Sequence, residues 1–148
     1  MIMRTLLLTI LFLGCISPFS DERVYSIPDE LVYYYDLFVQ DAQTYGIDYS
    51  NADVVVKFVD FNGTYAGKYY PRNDHIKQVH IDRDIYESHK NDTSVIKWLM
   101  YHELGHAFLD RNHSWDCNTI MYPYFMLCSN TQFRIKSDQM IEELFINR

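Results

Sequence analysis

His102-Glu103-Leu104-Gly105-His106, followed by Ala107-Phe108-Leu109-Asp110-Arg111-Asn112 and then His113, is the stretch from which the rest of the chain can be read. In a helix, 3.6 residues per turn put His102 and His106 on one face a turn apart, where both imidazoles reach a single cation. Glu103 stands about a third of a turn round from them. That offset suits a carboxylate that touches a metal-activated water without replacing it as a ligand. A catalytic zinc takes three protein ligands and keeps a position for water, so a third donor is needed. A helix continued past His106 cannot supply it, because Asp110 would lie about 12 Å from His102 at 1.5 Å rise per residue. With Zn–N bonds of about 2.0–2.1 Å, the third ligand must come from chain that has left the helix and turned back. Leu109 to Asn112 is where that exit must fall, and Asp and Asn tolerate the left-handed conformation better than other non-glycine residues. His113 is the first candidate beyond the turn, and Asp116 is the alternative.

Met121 stands eight residues after His113, within Ile120-Met121-Tyr122-Pro123. Together the two segments, HELGHAFLDRNH and IMYP, resemble the zinc site and Met-turn of the metzincin metallopeptidases, whose pattern is HExxHxxGxxH followed by a methionine-containing turn. The resemblance covers roughly residues 95 to 125. It implies that His102 and His106 are metal ligands, that Glu103 is the general base and that Met121 forms a floor beneath the metal. The family's glycine would fall at Leu109 and its third histidine at Asn112, whereas here the histidine comes one residue later, as by a one-residue insertion in the turn. Tyr122 directly follows Met121 and is a candidate for supporting an oxyanion, although metzincins that use a tyrosine here place it two residues after the methionine. Packing beside Pro123 is the plainer role for it.

At 148 residues, 48% hydrophobic, with five Gly and four Pro, the chain suits one domain with a single core. A net charge of −7 without a Lys/Arg cluster argues against nucleic acid or an anionic membrane surface as the main partner. Thirteen tyrosines suit a secreted surface or a peptide-binding cleft, most of them serving as half-buried structural residues. Residues 1–20 read as an export signal: Arg4 is the positive start, and Leu6 to Leu13 is an apolar run too short to span a bilayer. Leu-Phe-Leu-Gly-Cys15 resembles a bacterial lipobox, so cleavage falls before a lipidated Cys15 or, in an ordinary signal peptide, near Ser20. The mature domain, 21–148, is then secreted, periplasmic or membrane-anchored, touching a membrane only through Cys15. Export leaves Cys117 and Cys128, with ten residues between them in an oxidising compartment, to form a disulfide around Met121. A loop of that size is worth about 3 kcal/mol in the chain-entropy account.

The remaining segments surround this site. Pro28-Asp29-Glu30 starts a packing helix carrying Leu31, Tyr34/Tyr35, Phe38, Ala42 and Tyr45, which Gly46 ends. Asp53 to Phe61 reads as a strand, Asn62-Gly63 as a turn, and Thr64 to Tyr70 as an exposed strand stopped by Pro71. Such an edge either runs above the cleft and pairs with extended substrate, as the resemblance implies, or belongs to an ordinary hairpin or loop. Ile76 to Asp82 alternates as a half-buried strand, with His75, His80 and His89 solvated or structural. The site helix starts among Asn91-Asp92-Thr93-Ser94 and should be buried on two sides. Lys136 to Ile146 closes the domain as a helix, whose Glu142 and Glu143 rank below His113 as a gluzincin-type third ligand.

The expectation is an α+β fold: a small zincin-like domain with a mixed twisted sheet, an amino-terminal packing helix, a central active-site helix and a carboxy-terminal helix. Its expected function is a monomeric, zinc-dependent endopeptidase with one Zn²⁺ and a peptide or protein substrate. The alternatives are a non-catalytic zinc-binding surface lipoprotein, adhesin-like or inhibitor-like, and a deformylase-like amidohydrolase. The latter needs a cysteine ligand upstream of HELGH, where only Cys15 stands.

Overall fold

The computed structural model describes residues 23–63, 65–71, 75–124 and 130–146. The expected signal segment with Cys15, and Cys128, lie outside the described residues. Eight elements follow in order: β1 (Tyr25–Ser26), α1 (Asp29–Thr44), β2 (Val54–Val59), β3 (Gly67–Tyr70), β4 (Lys77–Asp82), α2 (Arg83–His89), α3 (Thr93–Leu109) and α4 (Asn130–Ile146). The strands form one mixed sheet in the order β1-β2-β4-β3, with β1 and β2 parallel, β2 and β4 parallel, and β3 antiparallel to β4 at the edge. This is the expected α+β architecture.

Several expectations are refined by tertiary contact. Asn62 and Gly63 both take positive φ, as the turn signal implies, yet β2 and β3 do not pair as a hairpin, because β4 lies between them. β1 and α2 have no strong sequence signal. β1 is two residues long, and α2 depends on Asp82, whose carboxylate accepts from the Ile85 amide (2.9 Å) and the Phe61 amide (2.8 Å). That buried acid thereby caps α2 and ties the loop after β2 to the end of β4. The expected closing helix begins earlier, at Asn130, and is broken at Lys136 (φ −130°, ψ 28°). The stripe from Met140 to Phe145 belongs to the segment after this kink.

Helix α3 runs through the middle of the domain. Val95, Ile96, Leu99, Met100, Tyr101 and Leu104 are buried around its circumference, so burial exceeds the two sides expected. Phe38 of α1 fills the junction, its ring 5.2–6.2 Å from those of Tyr49, Tyr101, Phe108 and Phe145. The Tyr101 hydroxyl donates to Asp41 (2.6 Å) and that of Tyr49 to the Phe108 carbonyl (2.9 Å), two of the structural tyrosines that composition suggests. At the start of α3, Asp92 does not cap with its side chain; it pairs with Arg134 of α4 instead. Both ends of α3 are therefore held by other elements, which gives the site a rigid base.

Candidate metal centre

The first two imidazoles stand one turn apart on α3, and the chain after it brings up the third. α3 ends at Asp110, which takes the left-handed conformation (φ 54°, ψ 35°) anticipated for this turn. The Arg111 amide bonds back to the Gly105 carbonyl (3.1 Å), so the chain reverses sharply and carries His113 over the helix. One nitrogen from each of His102, His106 and His113 lies within 4.8 Å of the others, the one such cluster of metal-ligating side chains among the described residues.

The tautomers follow from the neighbours. His102 Nδ1 lies 2.8 Å from the Ile120 carbonyl and His106 Nδ1 lies 2.5 Å from the Arg111 carbonyl. A carbonyl oxygen only accepts, so both Nδ1 atoms carry the proton and both Nε2 atoms of the neutral rings present lone pairs. His102 Nε2 is 3.2 Å from His106 Nε2 and 3.2 Å from His113 Nε2. Lone pairs facing at that distance repel unless a cation sits among them. The edge of a tetrahedron with about 2.05 Å bonds is about 3.3 Å, so these residues fit a zinc-sized ion.

Burial favours the same state. It holds the His102 ring well below the usual histidine range, to about 3, an effect opposed by the Ile120 carbonyl and reinforced by the other two rings. Burial also lowers His106 and His113. Neutral imidazole is the form that ligates a metal.

The segment expected as a Met-turn packs against α3 beside the imidazoles. The Tyr122 amide bonds to the Thr119 carbonyl (3.4 Å), closing a turn with Ile120 and Met121 at its centre, and the Met121 carbonyl accepts from Ser114 (2.9 Å). Met121 is buried against α3 at Gly105, where an added Cβ would meet its Sδ at 2.9 Å and Leu144 Cδ1 at 3.1 Å. The glycine in HELGH thus admits both the turn and α4. One turn before His102, the Trp98 ring lies 5.0 Å from that imidazole.

Glu103, 4% exposed, is pushed up to about 8 by burial, against which the Tyr69 amide donates to its carboxylate. It faces a cleft of about 650 Å³ lined by β3, by Trp98, Leu99 and the three histidines, and by Trp115, Pro123 and Tyr124. The edge strand therefore borders the site.

Other candidates lie elsewhere. Asp116 is exposed, and its carboxylate accepts from the Asn118 amide and side chain (both 2.9 Å), away from the imidazoles. Tyr122 is half-buried, 6.1 Å from the Tyr124 ring, and it is Tyr124 that lines the cleft. Glu143 borders a separate small pocket with Arg111 and Met140. His80 is buried beside Gln78 and Tyr70 in the sheet, and His89 bonds the Ile85 carbonyl within α2. Sequence reasoning missed Gly67, Tyr69, Trp98 and Tyr124, because none carries a spacing signal relative to HELGH.

A family model described as Matrixin matches residues 42–146. No curated protein and no solved structure matches the chain significantly.

Proposed function

The chain belongs to the matrixin family of peptidases, and from that premise we propose that it is a zinc-dependent endopeptidase whose metal is held by His102, His106 and His113. The observation that carries this reading is the set of three converging imidazole nitrogens beside a buried carboxylate in an open cleft. When bound, the cation supplies Lewis-acid polarisation of the substrate carbonyl and acidifies a water.

The rest is the work of the chain's own side chains. Glu103 follows His102 directly on α3, so its carboxylate takes a proton from the water that attacks the peptide carbonyl carbon. It then gives that proton to the amine nitrogen as the C–N bond breaks. The Ile120 and Arg111 carbonyls keep two imidazoles in the ligating tautomer and orientation, as partners of metal ligands commonly do. Substrate lies extended along β3, the outermost strand, whose outward-facing backbone groups other than the Tyr69 amide accept another strand. Oxyanion support from Tyr122 belongs to this reading too, with Tyr124 better sited along the cleft wall. So do export by residues 1–20, release before Cys15 or near Ser20, and a Cys117–Cys128 disulfide that braces the Met121 turn.

The decisive experiment measures zinc stoichiometry in the purified mature protein and cleavage of a peptide library by the same sample. One zinc per chain with chelator-sensitive cleavage is expected. Glu103→Ala should retain zinc and lose about 10²- to 10⁴-fold in kcat. Cleavage by Glu103→Ala at the wild-type rate would refute the mechanism, and a wild-type protein that takes up zinc without cleaving any peptide would refute the peptidase.

A further inference from the structure

β3 passes so close to α3 that a side chain at Gly67 has nowhere to stand. A Cβ built there lies 2.6 Å from Oε1 of Glu103, 2.7 Å from its Cγ and 2.8 Å from its Cδ. Ordinary contacts between carbon atoms are about 3.5–4.0 Å, so an added methyl overlaps the whole carboxylate arm and not just its tip. Glu103 is 4% exposed and borders the cleft, so its arm can give way only toward the cleft.

The register of the strand gives the second point of contact. β3 is outermost, and the Asp82 amide bonds to the Ala66 carbonyl (2.9 Å), which makes Ala66 and Asp82 a hydrogen-bonded pair. In an antiparallel ladder such pairs alternate with pairs that make no bond to each other. Lys68 opposite His80 and Tyr70 opposite Gln78 fall in the bonded set, so Gly67 and Tyr69 direct their amides and carbonyls toward the open edge. The Tyr69 amide, left over by the sheet, donates to Glu103.

We propose that Gly67 and the Tyr69 amide form a two-point seat for Glu103, with Gly67 acting as a positioning residue: the missing side chain sets where the carboxylate stands, and the amide sets where it points. The proposal rests on Glu103 as general base and adds what aims it. Filling the seat displaces the carboxylate relative to His102 while leaving the three ligands and the rest of the cleft in place. The edge that accepts substrate thereby also fixes the base, so strand β3 has two tasks.

A cycle of four full-length mature proteins tests this: wild type, Gly67→Ala, Glu103→Ala and the double variant. Each is measured for zinc affinity by chelator competition, for resistance to denaturant, and for kcat and KM on a peptide that the wild type cleaves. Gly67→Ala is expected to lower kcat by about 100-fold, the lower end of a general base's contribution, with KM and zinc affinity within threefold of wild type. It should also unfold at lower denaturant, and that loss should vanish in the Glu103→Ala background, where no carboxylate arm remains to clash. An equal stability loss in both backgrounds overturns the proposal, as does an unchanged kcat in folded Gly67→Ala. Should Gly67→Ala fail to fold, recovery of folding in the double variant supports the seat and continued failure overturns it. If the wild type binds zinc and cleaves nothing, the peptidase reading falls, and the stability cycle alone decides the seat: coupling supports it and additivity overturns it.

Discussion

His113 illustrates how one residue can be found by geometry while its exact partner atoms cannot. The length of α3 forbids a third ligand on the helix, and Asp110, one residue beyond where the family's glycine would fall, provides the left-handed exit. Which side chain then meets the metal depends on how far the chain travels before turning back. The structure brings the 113 ring to 3.2 Å from His102 Nε2 and leaves the Asp116 carboxylate bonded to Asn118. His113→Ala should therefore weaken zinc binding by at least about 100-fold, since a site with two protein ligands departs from the three that catalytic zinc sites use. Asp116→Ala should leave it within about twofold. Chelator competition on the two variants checks both, and a reversal of the order would make Asp116 the ligand.

Arg111 shows how elements far apart in sequence share one task. Its carbonyl holds His106, and its guanidinium donates to the Leu144 carbonyl (2.6 and 3.0 Å) at the end of α4. A cation placed on the free carbonyls at a helix terminus is favourable, worth about 0.3–1 kcal/mol when exposed and about 2 kcal/mol when partly buried. The same residue thereby orients a proposed metal ligand and anchors the closing helix. Arg111→Ala keeps the carbonyl that holds His106 and removes its tie to α4, so it should lower stability by about 1–2 kcal/mol and weaken zinc binding by less than the roughly tenfold that loss of a ligand's partner costs. Arg111→Lys should recover part of both. Parallel chelator titrations and denaturant melts are the measurement, and an Arg111→Ala protein with wild-type zinc affinity would break the link between α4 and His106.

At the scale of the molecule, the site's protonation opposes itself when no metal is bound. The three histidines sit below their ordinary value of 6.5 in the folded chain, so the unfolded chain binds their protons first and stability falls as pH drops below about 6.5. Glu103 runs the other way: its folded value near 8 lies above the ordinary 4.5, so stability falls as pH rises from 4.5 through 8. Between 4.5 and 6.5 three histidines outweigh one glutamate, and above 6.5 only the glutamate acts. The metal-free protein should be most resistant to denaturant near pH 6.5, and melts from pH 5 to 9 check this. A zinc-loaded sample should be stabilised by mass action and should lose that gain at acid pH, where protons compete for the imidazoles. A flat profile for the metal-free protein would mean that these four groups are solvated.

The sequence by itself determined the helix spacing of His102, Glu103 and His106, the need for a turn near Asp110, the Met121 turn and the α+β alternation, because each depends on residues near one another along the chain. Local periodicity also placed α1, β2, β4 and α3 to within a few residues. Tertiary structure alone decided that β4 separates β2 from β3, that Asp82 holds the loop after β2, that Arg111 joins His106 to α4, and that Gly67 packs against Glu103. The reason is physical. These contacts join segments tens of residues apart, and whether the glycine at 67 is a loop residue or the room for the Glu103 carboxylate depends on which helix packs against it.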